Sequence, residues 1–454
     1  NFADHHRFGF FPAVSAAWNL KREHFMDNVT WLDMFKIRYS WGKVGNDNLG
    51  DANGNQIRFP YLYTLGAIDG RQYNFGTWNT PSSDIFSKGW HYTSMASPQV
   101  TWEVAKKQDV GLDLALFNNS FSLTVDYFHE KRDGIFMQRK YLPAILGLES
   151  SPYANVGSVK SEGFDGFFRY EQRFGEVMTT LRGNFTYSKS TILNYDVENS
   201  TYPYQYQTGY RVNQVRGLVA EGLFRDYDDI RNSPKQTYGS VMPGDIKYKD
   251  VNGDGIVDDN DIVAIGATST PNLIYGVGLS VQWRGFDFNV LFQGAGKSSM
   301  LINGKAVYAF SEGRWGQVLK GLMDDRYVDA QTAALLGIPA NENTNASFPR
   351  LIFNDAAQVG SGGTDSRFSW NNFRASSYWL RDISYFRLKN LEVGYSLPSN
   401  LMQRLHLSSC RFYFQGTNLC TWSSFDLWDP EIGSSNGEAY PLTRAFTLGV
   451  QINY

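Results

Sequence analysis

The segment Asp250-Val251-Asn252-Gly253-Asp254-Gly255-Ile256-Val257-Asp258-Asp259-Asn260-Asp261 sets oxygen donors at a spacing that suits a hard cation. Asp250, Asn252 and Asp254 fall at positions 1, 3 and 5 of a twelve-residue loop. Ile256 offers a carbonyl at 7, Asp258 stands at 9, and Asp261 closes the set at 12. Gly255 at position 6 permits the sharp turn that curls these oxygens around one centre. Ca2+ is the expected ion, with Asp in place of Glu at position 12 as the one departure, a shorter final arm. The competing reading is a solvated turn, since Asp, Asn and Gly favour turns with no ion present. No helix pair flanks the segment, so an ion here would stiffen a loop rather than run a sensor.

Other chemistry is thinner. Gly294-Ala295-Gly296-Lys297-Ser298 resembles the end of a phosphate loop, but Leu291 stands where the first Gly belongs. The six His residues show no H-E-x-x-H spacing, and no G-x-S-x-G elbow supports a nucleophile, so no catalytic residue is assigned and the chain is not read as an enzyme. Cys410 and Cys420 on one strand would lie about 33 Å apart, far beyond disulfide reach, and are expected to be free thiols. Aromatic side chains crowd two stretches, Tyr61 to Tyr92 and Tyr202 to Tyr210. Trp78, Trp90, Tyr204 and Trp315 are the candidates for contact with a partner or substrate, against the plainer reading that they pack loop on loop.

The elements that carry these loops are strands. Val110, Leu112, Leu114 and Leu116 alternate with Asp109, Gly111, Asp113 and Ala115, an Asn118-Asn119 turn follows, and Phe121, Leu123, Val125 and Tyr127 alternate on the return. The pattern recurs across Gly175-Glu176 and Arg284-Gly285, and further strands are expected over 12–20, 35–41, 385–395, 411–417 and 443–454. Such long amphipathic strands suit a membrane barrel, with Leu114 on lipid, where a charge should cost about 2–4 kcal/mol, and Asp113 tolerant on the lumen side. Turns are alternately very short and very long, the long ones near 43–100, 133–158, 190–245, 295–380 and 420–442, which is the outer-membrane asymmetry. Tyr454 ends an alternating strand on an aromatic, as the outer-membrane assembly signal does. Aromatics at 16% rule out disorder, 42 basic against 45 acidic residues disfavour nucleic acid, and no apolar run approaches 18 residues. Opening on Asn1-Phe2-Ala3-Asp4, the chain reads as part of a longer protein.

Several segments together resemble one family, the SusC/RagA-type TonB-dependent outer-membrane transporters. Arg7-Phe8-Gly9-Phe10-Phe11-Pro12 with Trp18, and Phe35 to Asp47 with Gly42 and Gly45-Asn46, match its early strands. Trp102-Glu103, Asn155-Val156-Gly157 with Gly163-Phe164-Asp165, and Pro271 with Tyr275-Gly276 and Gly285-Phe286-Asp287 follow in order. Tyr385-Phe386-Arg387-Leu388-Lys389-Asn390, Gly394-Tyr395-Ser396-Leu397-Pro398, Asp429-Pro430-Glu431 and Tyr440-Pro441-Leu442 complete the series. The resemblance implies an all-β fold, the C-terminal part of a plugged antiparallel barrel of about 22 strands, with the plug and first strands lying upstream. It also implies an outer-membrane importer of oligosaccharides or oligopeptides, energised by TonB and capped by a SusD-like lipoprotein. A passive porin or surface adhesin on the same barrel, and a soluble carbohydrate-binding β-protein, stand as alternatives.

Overall fold

Alternation over long stretches builds one dominant sheet. The structure, a computed structural model, describes residues 2–50, 54–74, 86–140, 142, 145, 151–197, 200–304, 307–308, 320–335, 342–352 and 370–454. Eleven strands hydrogen-bond in chain order into a continuous antiparallel sheet. They are β1 (Ala13–Asn19), β2 (Leu32–Asn46), β3 (Glu103–Leu116), β4 (Phe121–Gln138), β5 (Tyr153–Phe174) and β6 (Val177–Asn194), then β7 (Leu273–Trp283), β8 (Phe286–Gly296), β9 (Tyr385–Ser396), β10 (Ser409–Ser423) and β11 (Ala445–Asn453). Every expected strand is present. Several run further than the alternation reaches, β5 to 22 residues, which narrows the expected connection at 133–158 to residues 139–152.

Register turns the alternation into two faces. Leu116, Phe121, Tyr170, Leu181, Leu279, Val290, Leu391, Gly416 and Phe446 are successive cross-strand partners from β3 to β11, an apolar row without a charge. Three residues along, Lys36, Asp113, Thr124, Phe167, Asn184, Gly276, Gln293, Arg387 and Thr421 form a mostly polar row on the opposite face. Apolar side chains such as Val110, Phe164, Phe288, Val393 and Leu448 stand exposed on the first face, as a lipid-facing wall requires. Among the described residues no helix is long and apolar enough to cross a membrane, so any crossing is by strands.

The turns confirm the asymmetry. At one end, β7 and β8 are joined by Arg284-Gly285, both at positive φ (44° and 86°), as a two-residue hairpin of matching twist needs. At the other end the connections 195–272, 297–384 and 424–444 fold together. Leu218, Ile246, Tyr248 and Val257 from the first, Met300, Ile302, Val307, Trp379 and Ile383 from the second, and Phe425 from the third form one buried core. The long connections are a shell with a core of its own, not separate loops.

Candidate functional site

On the polar face, charges come in Arg-centred groups. Arg38 of β2 donates from Nε to Asp113 (2.9 Å) and from Nη2 to Asp113 and Asp126 (3.1 and 3.0 Å). It reaches Asp126 across Gly111, the residue between them in register, where a Cβ would lie 2.2 Å from the Asp126 carboxylate. Arg411 repeats the device, pairing with Asp287 and Glu392 over Gly394. Asp113 is therefore no idle lumen residue. It is the bidentate partner of Arg38 and also accepts from Thr124 Oγ1, so a substitution there gives up part of an ion-pair group.

Where the sheet meets the shell, segments far apart in the sequence find one another in space. Arg387 of β9, only 1% exposed, pairs with Asp429 and Glu431, and Lys389 donates to Glu431 at 3.0 Å. The YFRLKN and DPE segments thus form one clasp, which folds the 424–444 connection back onto the wall. Asn155 donates to Thr101 and Gly134 carbonyls and accepts from the Thr101 N–H (2.9, 2.7 and 2.8 Å), stitching the Trp102-Glu103 segment to β4 and β5. Inside the shell, Asp245 is fully buried, with Arg350 reaching it from the neighbouring connection (2.7 Å from Nε, 3.0 Å from Nη2) and Asn372 at 2.9 Å. Burial pushes the Asp245 carboxyl above its ordinary range, against the pull of Arg350.

The acidic loop folds as its glycines require, Gly253 and Gly255 at φ 77° and 84°. Asp250 accepts from the Gly253 and Gly255 N–H groups (2.6 and 2.8 Å), Asn252 from Asp254, and Asp254 from Ile256 (3.0 and 2.8 Å). Asp258 accepts from Asn260 N (2.7 Å) and caps the single turn Asp259–Asp261. Asp261, fully buried, takes the N–H groups of Val251, Asn252 and Asp258, so it staples the end of the loop to its beginning. The donors are oxygens throughout, and each oxygen of Asp250 and Asp254 holds one hydrogen bond, leaving a lone pair for a hard cation. Among the described residues, however, no three His, Cys, Asp or Glu side chains are gathered into a metal-holding group.

This loop supports its neighbours. Tyr204, one of the four aromatic candidates, stacks on Tyr202 (5.4 Å between rings) and donates its hydroxyl to the Asn260 carbonyl at 2.8 Å. Burial and then the nearby Asp261 raise its phenol above the ordinary range. Trp90 is 71% exposed, while Trp78 and Trp315 lie outside the described residues. Tyr454 is exposed just beyond β11. Cys410 and Cys420 are both free, the first buried and the second exposed on β10. Sequence reasoning missed Lys140 and Arg216, which line a cavity beside the acidic loop, because only the fold brings residues so far apart in the chain together.

No protein-family model matches the chain. Curated proteins that match over all of it include TonB-dependent receptor P3 of Formosa agariphila, 25% identical over 43% of that protein, and TonB-dependent receptor SusC of Bacteroides thetaiotaomicron, 22% identical over 41%. Among solved structures, the RagAB peptide transporter superposes on the whole chain with a TM-score of 0.69 at 20% identity, covering 44% of that chain. Along its whole length this chain resembles SusC-type TonB-dependent receptors. Its fold is the wall of an outer-membrane barrel with the long connections at one end, and the outer membrane is its location. The chain spans about two fifths of the length of the curated relatives it matches.

Proposed function

We propose that this chain forms part of the wall and the outer loop shell of an active nutrient importer, carrying oligopeptides or oligosaccharides inward. The observation that carries the reading is the whole-chain superposition on the RagAB peptide transporter, and the relatives named TonB-dependent receptors support energising by TonB. No catalytic role is part of it. β1 and β11 each leave one long edge unpaired among the described residues, and lipid supplies no hydrogen bonds to such an edge. The barrel, of about 22 strands, accordingly closes through strands outside this chain, around a plug that TonB contacts. A SusD-like lipoprotein covers the shell and the neighbouring connection 47–102, whose exposed Trp90, Tyr92 and Tyr63 offer aromatic contact area. Affinity purification of the full-length protein from native membranes in mild detergent tests this: a stoichiometric acylated partner is expected. Full yield of barrel alone, with intact loops, would favour a passive porin.

We also propose that the 250–261 loop takes Ca2+ through Asp250, Asn252, Asp254, the Ile256 carbonyl, Asp258 and Asp261. The spacing and the spare lone pairs support it, and the ion would draw these oxygens together and brace Tyr202 and Tyr204. In millimolar Ca2+, an experimental map should show a spherical feature with oxygens at about 2.3–2.6 Å, lost in the double variant Asp250→Ala, Asp254→Ala. A well-ordered wild-type loop without that feature would leave the hydrogen-bonded turn as the whole account.

A further inference from the structure

Two connections, 139–152 and 195–272, line an open cavity of about 470 Å3 beside the acidic loop, large enough for two or three sugar or amino-acid units. Its lining is polar and aromatic, with Tyr195, Tyr206, Gln205 and Gln207 beside two cations, Lys140 and Arg216. Neither cation is ion-paired among the described residues. Lys140 Nζ donates to the Tyr195 hydroxyl at 3.1 Å and lies over that ring. Arg216 lies 4.5 Å over the Tyr210 ring, and its terminal nitrogens donate to the Tyr204 and Tyr206 carbonyls. Its Nε is buried with no hydrogen-bond partner. Asp259, the one carboxylate on the lining, is already held by Arg374 and the Tyr238 hydroxyl. Asp196 nearby takes Arg139 and the Lys140 backbone N–H instead of the Lys140 ammonium.

A part-buried guanidinium without counter-charge at the wall of a cavity favours an entering anion, and the exposed Lys140 ammonium on the same lining adds to that attraction for a carboxylate. The tyrosine faces and glutamine amides supply what the rest of a small polar ligand needs. We propose that this cavity recognises a carboxylate on the imported ligand, so that the protein selects acidic oligomers. The proposal rests on the import reading and names its substrate class. The carboxylate has two sources, a uronic-acid residue of an oligosaccharide or an acidic side chain of a peptide. The acidic loop holds one wall of the cavity, through the Gln205 amide on the Asp259 carbonyl and the Tyr204 hydroxyl on Asn260 (both 2.8 Å).

Calorimetry on the full-length protein in detergent at low salt tests the proposal with four probes. These are tri-galacturonate against maltotriose, and N-acetylated, amidated tri-glutamate against the matching tri-glutamine. At least one acidic probe should bind about tenfold or more tightly than its neutral counterpart, and which one does so identifies the source. That preference should shrink as salt rises. Arg216→Gln should abolish it, but Arg216 also holds loop carbonyls, so Lys140→Gln is the cleaner variant, because exposed Lys140 Nζ holds only a tyrosine hydroxyl. Lys140→Gln should cut acidic binding several-fold and move neutral binding far less. Equal binding of acidic and neutral probes, no binding of either acidic probe, or an unaltered preference in Lys140→Gln overturns the proposal. Equilibrium binding needs no energy source, so loss of import alone would leave these results readable and would count against the import reading instead.

Discussion

At the residue scale, depth in the membrane decides what a substitution costs. Leu114 lies two residues inside β3 from the short turn at Phe117–Ser120, close to the membrane interface, where a charge costs only about 0–1 kcal/mol. The full cost of about 2–4 kcal/mol belongs further up the strand. Leu112, partnered with Ile37 and Val125 on the apolar face, sits about 13 Å from the turn along the membrane normal, near mid-depth for a tilted strand. Leu112→Arg should therefore block assembly, scored as loss of the compact, heat-modifiable band on a cold denaturing gel. Asp113→Leu should assemble but lose about 1 kcal/mol in urea unfolding, since Arg38 keeps Asp126. Should Leu112→Arg assemble as well as Asp113→Leu, the two faces have been assigned the wrong way round. Gly111→Ala should behave like Asp113→Leu, because its methyl occupies the path from Arg38 to Asp126.

At the element scale, the shell depends on buried polar groups that cross between connections. Gln236 donates to the Ile246 carbonyl (3.0 Å) and to Asn371, Tyr248 donates to the Asn371 carbonyl, and Asp245 and Arg350 clamp the same layer. Arg350→Ala would leave Asp245 buried without its ion partner, at a cost of about 3 kcal/mol at neutral pH. The sign with pH follows from the raised Asp245 carboxyl. A group raised in the fold contributes stability below its ordinary range and loses it as pH rises through the raised value, so acid relieves the variant by protonating Asp245. Hydrogen exchange at Ile246 to Tyr248 should quicken in Arg350→Ala at pH 7 and return towards wild type near pH 4. Equal acceleration at both pH values would mean that Asp245 is not the strained group. The wall strands were legible because strict alternation is a local signal, and so were Asn118-Asn119 and Arg284-Gly285, whose types dictate their turns. The upper half of β5 was not, because Lys160, Ser161 and Glu162 are polar in succession and carry no period of two. The shell core was hidden for another reason. Leu218, Ile246 and Trp379 meet across more than a hundred residues, and nothing near any one of them marks the others. The acidic loop was legible as a motif, while the Lys140–Arg216 cavity it braces was not.

At the scale of the whole molecule, tight turns at one end, a cored shell at the other and a band of apolar rows on one face between them make a wall with a defined inside and outside. The Arg38 and Arg411 groups lie on its inner face, where they can meet a plug or a passing solute. A porin needs only the wall. A shell with its own hydrophobic core, interlocked by the Arg387–Asp429 and Asp245–Arg350 pairs, is built to be held in one arrangement. Energised import is tested by uptake of labelled oligomer into cells producing the full-length protein, with and without an uncoupler of the inner-membrane proton gradient that drives TonB. Accumulation against a gradient that collapses on uncoupling is the predicted result; equilibration at the same rate in both conditions would contradict it.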